Sequence, residues 1–137
     1  MEVGYFKVKN PENQEFALSI YKSMVNIVGV ANIESLVFDN SHKGGDYIFI
    51  FSDMDKIDKL SDLFRKHKIL LDFQLKTKEY LDQENIPEVF NDPDYREVLN
   101  NFLIDNLSVD NVLDKINKSG IQSLNEMDHF VLKTKKP

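Results

Sequence analysis

The chain has 137 residues, 42% of them hydrophobic and 29% charged, with a formal net charge of −6. Such a composition belongs to a folded domain with its own core, not to a disordered segment or a pair of large domains. No apolar run approaches the roughly 18 residues of a membrane-spanning helix, and the lack of cysteine excludes a disulfide frame, a thiol nucleophile and a thiolate metal site.

The charge is unevenly spread. Residues 1–78 hold 11 Lys/Arg and 11 Asp/Glu, whereas residues 79–137 hold 6 and 12, so the whole acidic surplus lies in the second half. Nucleic-acid binders draw much of their affinity from phosphate neutralisation and normally carry a basic excess. Arg65 and Arg96 are the only arginines, which disfavours forked contacts to phosphate. Met1-Glu2-Val3-Gly4-Tyr5 lacks the basic flank and apolar stretch of an export signal. A cytoplasmic location without membrane insertion is expected.

Val3 to Lys9 predicts a strand with Phe6 and Val8 on one face and Tyr5 and Lys7 on the other. Asn10 then reads as a helix cap with Pro11 in the first turn, and Phe16, Ile20, Met24 and Ile27/Val28 recur at helical spacing as far as Gly29. Ala31 to Phe38 predicts a second strand, and Asp39 to Gly45 the hairpin connection. Asp46 to Phe51 is a third strand, apolar on both faces. Ser52 reads as a cap answered by Asp55, ahead of a stripe of Ile57, Leu60, Leu63/Phe64 and His67. In the last strand, Ile69 to Thr77, Ile69, Leu71, Phe73 and Leu75 alternate with Leu70, Asp72, Gln74 and Lys76.

This order of elements predicts an α+β chain, with residues 1–78 forming a ferredoxin-like βαββαβ sandwich whose strands run fourth, first, third, second. Helices cover one face of that sheet. Its doubly apolar third strand should not leave the other face in water, so the C-terminal helices or a second copy of the chain are expected to cover it.

Residues 79–92 read as an acidic connector and 93–133 as an extension of about three short helices, with 134–137 a solvated tail. Asp92-Pro93 opens the first helix, with Tyr95, Val98/Leu99 and Phe102 on one side. Ser108 caps the second, and Gly120 is expected to end it in the left-handed conformation. Ser123-Leu124-Asn125-Glu126 reads as the capping box of the third. Leu113-Asp114-Lys115-Ile116, Gly120, Ser123-Leu124, Glu126 and Leu132 together resemble a short helical tail on some bacterial proteins, including certain rhomboid-type membrane proteases. The resemblance covers about the last 25 residues, departs from the tail's pattern at Asn125 and Met127, and implies a bacterial source and a helical hairpin. Without preceding membrane helices it implies no protease activity.

No catalytic or metal site is predicted, and no cofactor. His42, His67 and His129 are spaced unlike a zinc pair. Asp53, Asp55, Asp58 and Asp62 lack the glycine and closing glutamate of a calcium loop, and acids suit the first turn of a helix. The turn Asn10-Pro11-Glu12-Asn13 lacks the glycine and arginine that acylphosphatases place on this fold.

Two surfaces remain. Tyr5, Tyr47, Phe49, Phe51 and Leu70 form a candidate interaction surface on the sheet, and Lys7, Lys9, Arg65, Lys66 and Lys68 a candidate basic patch. RNA-recognition motifs share the topology and stack bases on such aromatics, but Asp46 stands where an aromatic would be wanted and the chain is acidic. The expected function is a non-catalytic protein-interaction or regulatory module acting through the sheet face and the C-terminal helices, whose partner is another protein or itself as a homodimer. RNA binding through the open face and an enzyme with an unfamiliar site are the alternatives.

Overall fold

The computed structural model describes residues 1–29, 35–40 and 44–135. The chain divides into two compact units, Met1–Thr77 and Lys78–Pro137. The first contains β1 (Glu2–Val8), α1 (Gln14–Val28), β2 (Leu36–Asp39), β3 (Asp46–Ser52), α2 (Met54–Lys66) and β4 (Leu70–Leu75). The four strands form one antiparallel sheet in the order β2-β3-β1-β4, as the sequence predicts. The first part of the predicted second strand, together with His42 and Lys43 of the hairpin, lies outside the described residues.

One face of the sheet carries the core of this unit. Phe6 and Val8 of β1, Leu36 of β2, and Ile48 and Ile50 of β3 pack with Ile20, Met24 and Val28 of α1 and Ile57, Leu60 and Phe64 of α2. Phe6 lies at the centre, with ring centroids 5.1 Å from Phe64 and 4.9 Å from Phe73. The helical stripes read from the sequence are the faces that turn inward.

The caps moved. Asn13, not Asn10, caps α1 and accepts from the Phe16 amide at 2.8 Å. The Lys9 amide is still bonded to Ile69 O at 2.8 Å, so the chain must first leave the sheet before it can wind. Asp53, not Ser52, caps α2 and accepts from the Lys56 amide. Ser52 pairs with Glu2 as the last residue of β3, which removes it from capping.

β4 departs from its predicted alternation. Lys7 pairs with Asp72 but Val8 with Leu70, leaving Leu71 as the extra residue of a bulge. A one-residue slip exchanges the faces of the residues beyond it. Leu70 therefore joins the helix-side core, and Leu71 is 45% exposed. Gly45 permits this crowded end of the sheet. A Cβ there would lie 2.7 Å from the Val8 carbonyl oxygen and 3.4 Å from Leu71 Cδ1.

In the second unit, α4 (Pro93–Asn106), α5 (Val109–Ser119) and α6 (Glu126–Thr134) are the three predicted helices. The short α3 (Thr77–Leu81) starts at Thr77, read from the sequence as the end of the last strand, and runs into the residues read as a connector, which also hold a 3-10 turn at Glu88–Asn91. Tyr80 and Phe90 in these pieces are buried, with ring centroids 5.8 Å apart. Leu99, Phe102 and Leu103 of α4 are buried, and Leu107, Val109, Val112 and Val131 form a cluster edged by Leu81, Ile116, Leu124 and Met127.

Asp92 and Ser108 cap α4 and α5, as expected. The last capping box is instead Asn125 with Asp128, because Ser123 belongs to a 3-10 turn and donates to Gly120 O at 2.6 Å. Gly120 ends α5 at φ 83° and ψ 164°. Its φ is positive as expected, but its ψ is extended rather than left-handed helical, a combination open essentially only to glycine.

Candidate functional site

Alternation along the paired strands sends Val3, Tyr5 and Lys7 of β1, Val37 of β2, and Tyr47, Phe49 and Phe51 of β3 to the face opposite α1 and α2. This face has two characters. Val3, Val37, Phe49 and Phe51 are at most 3% exposed, whereas Tyr5, Lys7 and Tyr47 are half-buried and Asp72 and Gln74 of β4 are exposed. Of the predicted interaction residues, then, Tyr5 and Tyr47 are reachable, Phe49 and Phe51 are buried, and Leu70 packs on the helix side.

The reachable part is a compact strip of aromatic and charged groups. The Tyr5 ring lies 5.5 Å from Tyr47 and 5.4 Å from Phe49, centroid to centroid. Lys7 Nζ stands 5.8 Å from the centre of the Tyr47 ring, and Lys76 Nζ 5.9 Å from that of Tyr5, within reach of cation–π attraction. Asp72 accepts from the Phe73 amide with one oxygen and from Gln74 Nε2 with the other, each at 2.9 Å. Burial pushes the Tyr5 hydroxyl from 10.0 up to about 12, helped by Tyr47, by the nearby Asp72 carboxylate and by a hydrogen bond with the Tyr47 phenol. At neutral pH Tyr5 therefore stays protonated and serves for stacking and hydrogen bonding.

The basic patch separates. Arg65 and Lys68 line one shallow depression with Leu70, Leu71, Asp72 and Phe73. Lys66 lies in the last turn of α2, and Lys9 joins this end through its bond to Ile69. Lys7 belongs instead to the aromatic strip.

Sequence reasoning missed a buried polar cluster in the second unit. Asp128 is 1% exposed. It accepts from Lys115 Nζ at 2.6 Å, Gln83 Nε2 at 2.9 Å and the Asn125 amide at 3.0 Å. Gln83 has a φ of 56° and also accepts from the Asn125 side chain. The signal was the spacing Asn125-x-x-Asp128, hidden behind the stronger-looking Ser123-x-x-Glu126. With its bonds satisfied, the cluster clamps α5, α6 and the turn after α3 together.

The remaining candidates have local roles. Asp53 caps α2 and Asp55 pairs with Lys59 at 3.0 Å. His67 caps the end of α2, its ring edge-on to Phe16 at 5.8 Å, while His129 is exposed on α6. Among the described residues, no group of three or more histidines or carboxylates is placed to hold a metal ion, and no helix is long and apolar enough to cross a membrane.

The fold and strip together define the class: an α+β protein with a four-stranded antiparallel sheet, followed by a helical region. No family model, curated protein or solved structure matches the chain.

Proposed function

We propose that the chain is a non-catalytic protein-interaction module of the bacterial cytoplasm, built on a ferredoxin-like βαββαβ unit, with a protein as its partner. One observation carries this reading: two neighbouring tyrosines on a rigid sheet, flanked by both signs of charge at Lys7, Lys76 and Asp72. Tyrosine is enriched where protein interfaces concentrate their energy, and a mixed-charge rim favours protein over phosphate partners. The resemblance of the last helices to a bacterial tail supports the stated origin. RNA binding draws less support, because Phe49, the cross-strand neighbour of Tyr5, is 1% exposed and cannot stack a base. No observation favours an enzyme.

A photo-crosslinking residue in place of Tyr47 tests the reading in producing cells. A dominant protein adduct of defined mass is expected, absent when the same residue replaces the exposed Glu126, and lost when Tyr5→Ala is added. No adduct, or the same ladder from both positions, overturns it.

A further inference from the structure

β4 is an edge strand. Among the described residues only β1 pairs with it in the sheet, and Asp72, Gln74 and Leu75 are exposed, Leu75 by 50%. The Lys76 amide donates to Val3 O at 2.8 Å, so by alternation the amides of Gln74 and Asp72 turn toward β1 and those of Phe73 and Leu75 turn outward. The outward Phe73 amide is held by the side chain of its own neighbour Asp72.

Such an edge is a template for another strand, and its sequence says which. With two copies of Asp72-Phe73-Gln74-Leu75-Lys76 antiparallel about a two-fold axis through Gln74, every pair is complementary. Asp72 faces Lys76 of the second copy, Phe73 faces Leu75, and Gln74 faces itself. The outward amides of Phe73 and Leu75 fall at the hydrogen-bonded positions of that register. The segment also avoids the bulge at Leu71, which would spoil a pairing centred one residue earlier.

We propose that β4 is a self-association edge, pairing with β4 of a second copy of this chain in the register that places Gln74 against Gln74. This rests on the protein-interaction reading and names the partner. On pairing, Phe73 exchanges its bond to Asp72 for a backbone carbonyl of the other chain, and Asp72 turns to the incoming Lys76. An isologous contact this short belongs to the weak class of interfaces.

The cysteine-free chain makes the test clean. In the proposed register two Gln74 residues face each other at a non-hydrogen-bonded site, with Cα atoms about 4.5 Å apart, within disulfide reach. Under mild oxidation Gln74→Cys should give roughly tenfold more covalent dimer than Phe73→Cys or Leu113→Cys, a preference set by the fixed disulfide geometry. Equal yields, or a preference for Phe73→Cys, overturn it. Light scattering of the unmodified chain should show mass rising toward a dimer by about 1 mM, as a weak interface requires. Asp72→Lys should abolish that rise by opposing like charges, and Asp72→Lys with Lys76→Asp should restore it. A strict monomer, or a double variant as monomeric as the single one, ends the proposal. The photo-crosslinked adduct at Tyr47 would stand independently of that result.

Discussion

The two units reach stability by different routes. In the first, strands distant in sequence pair into one sheet, and a single apolar layer from Phe6 to Phe64 holds α1 and α2 against it. The second consists of helices of 14 residues or fewer, which would be marginal alone. It adds to its apolar residues, among them the buried Phe90, Leu99 and Phe102, two capping boxes and the buried Asp128 cluster. Both units cap their helices, but the first adds the pairing of distant strands, whereas a unit of short helices draws more of its order from its ends.

The largest expected effect lies in the first unit. Phe6→Ala removes a fully buried ring between Phe64 and Phe73 and should cost about 3–5 kcal/mol in urea unfolding. Amide exchange should show the loss throughout the sheet; a loss below about 1 kcal/mol would break the apolar account of this unit. Asp128→Ala should come next, at about 2–3 kcal/mol, because it strips Lys115, Gln83 and the Asn125 amide of an acceptor at once. Protection should fall first in α5 and α6. If Asp128→Ala were neutral, the second unit would rest on its apolar core alone.

Gly120→Ala sharpens the contrast in helix ends. Its φ of 83° with extended ψ should make alanine cost about 1–3 kcal/mol, read as a lower thermal midpoint. A neutral result would mean the α5 end shifts without penalty.

The smallest effects are electrostatic and belong to the sheet. Because the folded Tyr5 hydroxyl is raised from 10.0 to about 12, its contribution to stability is full below pH 10 and is lost as pH climbs through 12. Tyr47→Phe removes the neighbouring phenol and its hydrogen bond, but not the burial that dominates. An ultraviolet titration should place the Tyr5 transition lower, though still above 10. Asp46 is raised from 3.8 by burial and then by Asp39. A carboxyl raised in the folded state lowers stability as pH rises from its unfolded value through its folded one. Asp46→Asn should therefore raise the unfolding midpoint slightly at pH 7 and leave it unchanged at pH 3. A shift equal at both would remove the electrostatic cause.

Local pattern alone determined the succession of the four strands and of α1, α2, α4, α5 and α6, though not the short α3, together with the inward stripes of α1 and α2 and the caps at Asp92 and Ser108, because each depends on neighbours within about one turn. The sheet order followed from that succession of elements. Tertiary structure decided what depends on distant chain: Asn13 and Asp53 became caps because Lys9 and Ser52 were already bonded in the sheet. The β4 bulge moved Leu70 to the core, since register is a property of two strands and not of one. Alternation placed Tyr5 and Tyr47 on the face opposite the helices, and the doubly apolar β3 made shielding of that face expected; that Phe49 and Phe51 are buried while Tyr5 and Tyr47 stay half-exposed was not legible, because alternation names a face without saying what meets each position. Asp128 was the least legible. A carboxylate on a short helix looks solvated until Lys115 and Gln83, remote in sequence, are folded against it.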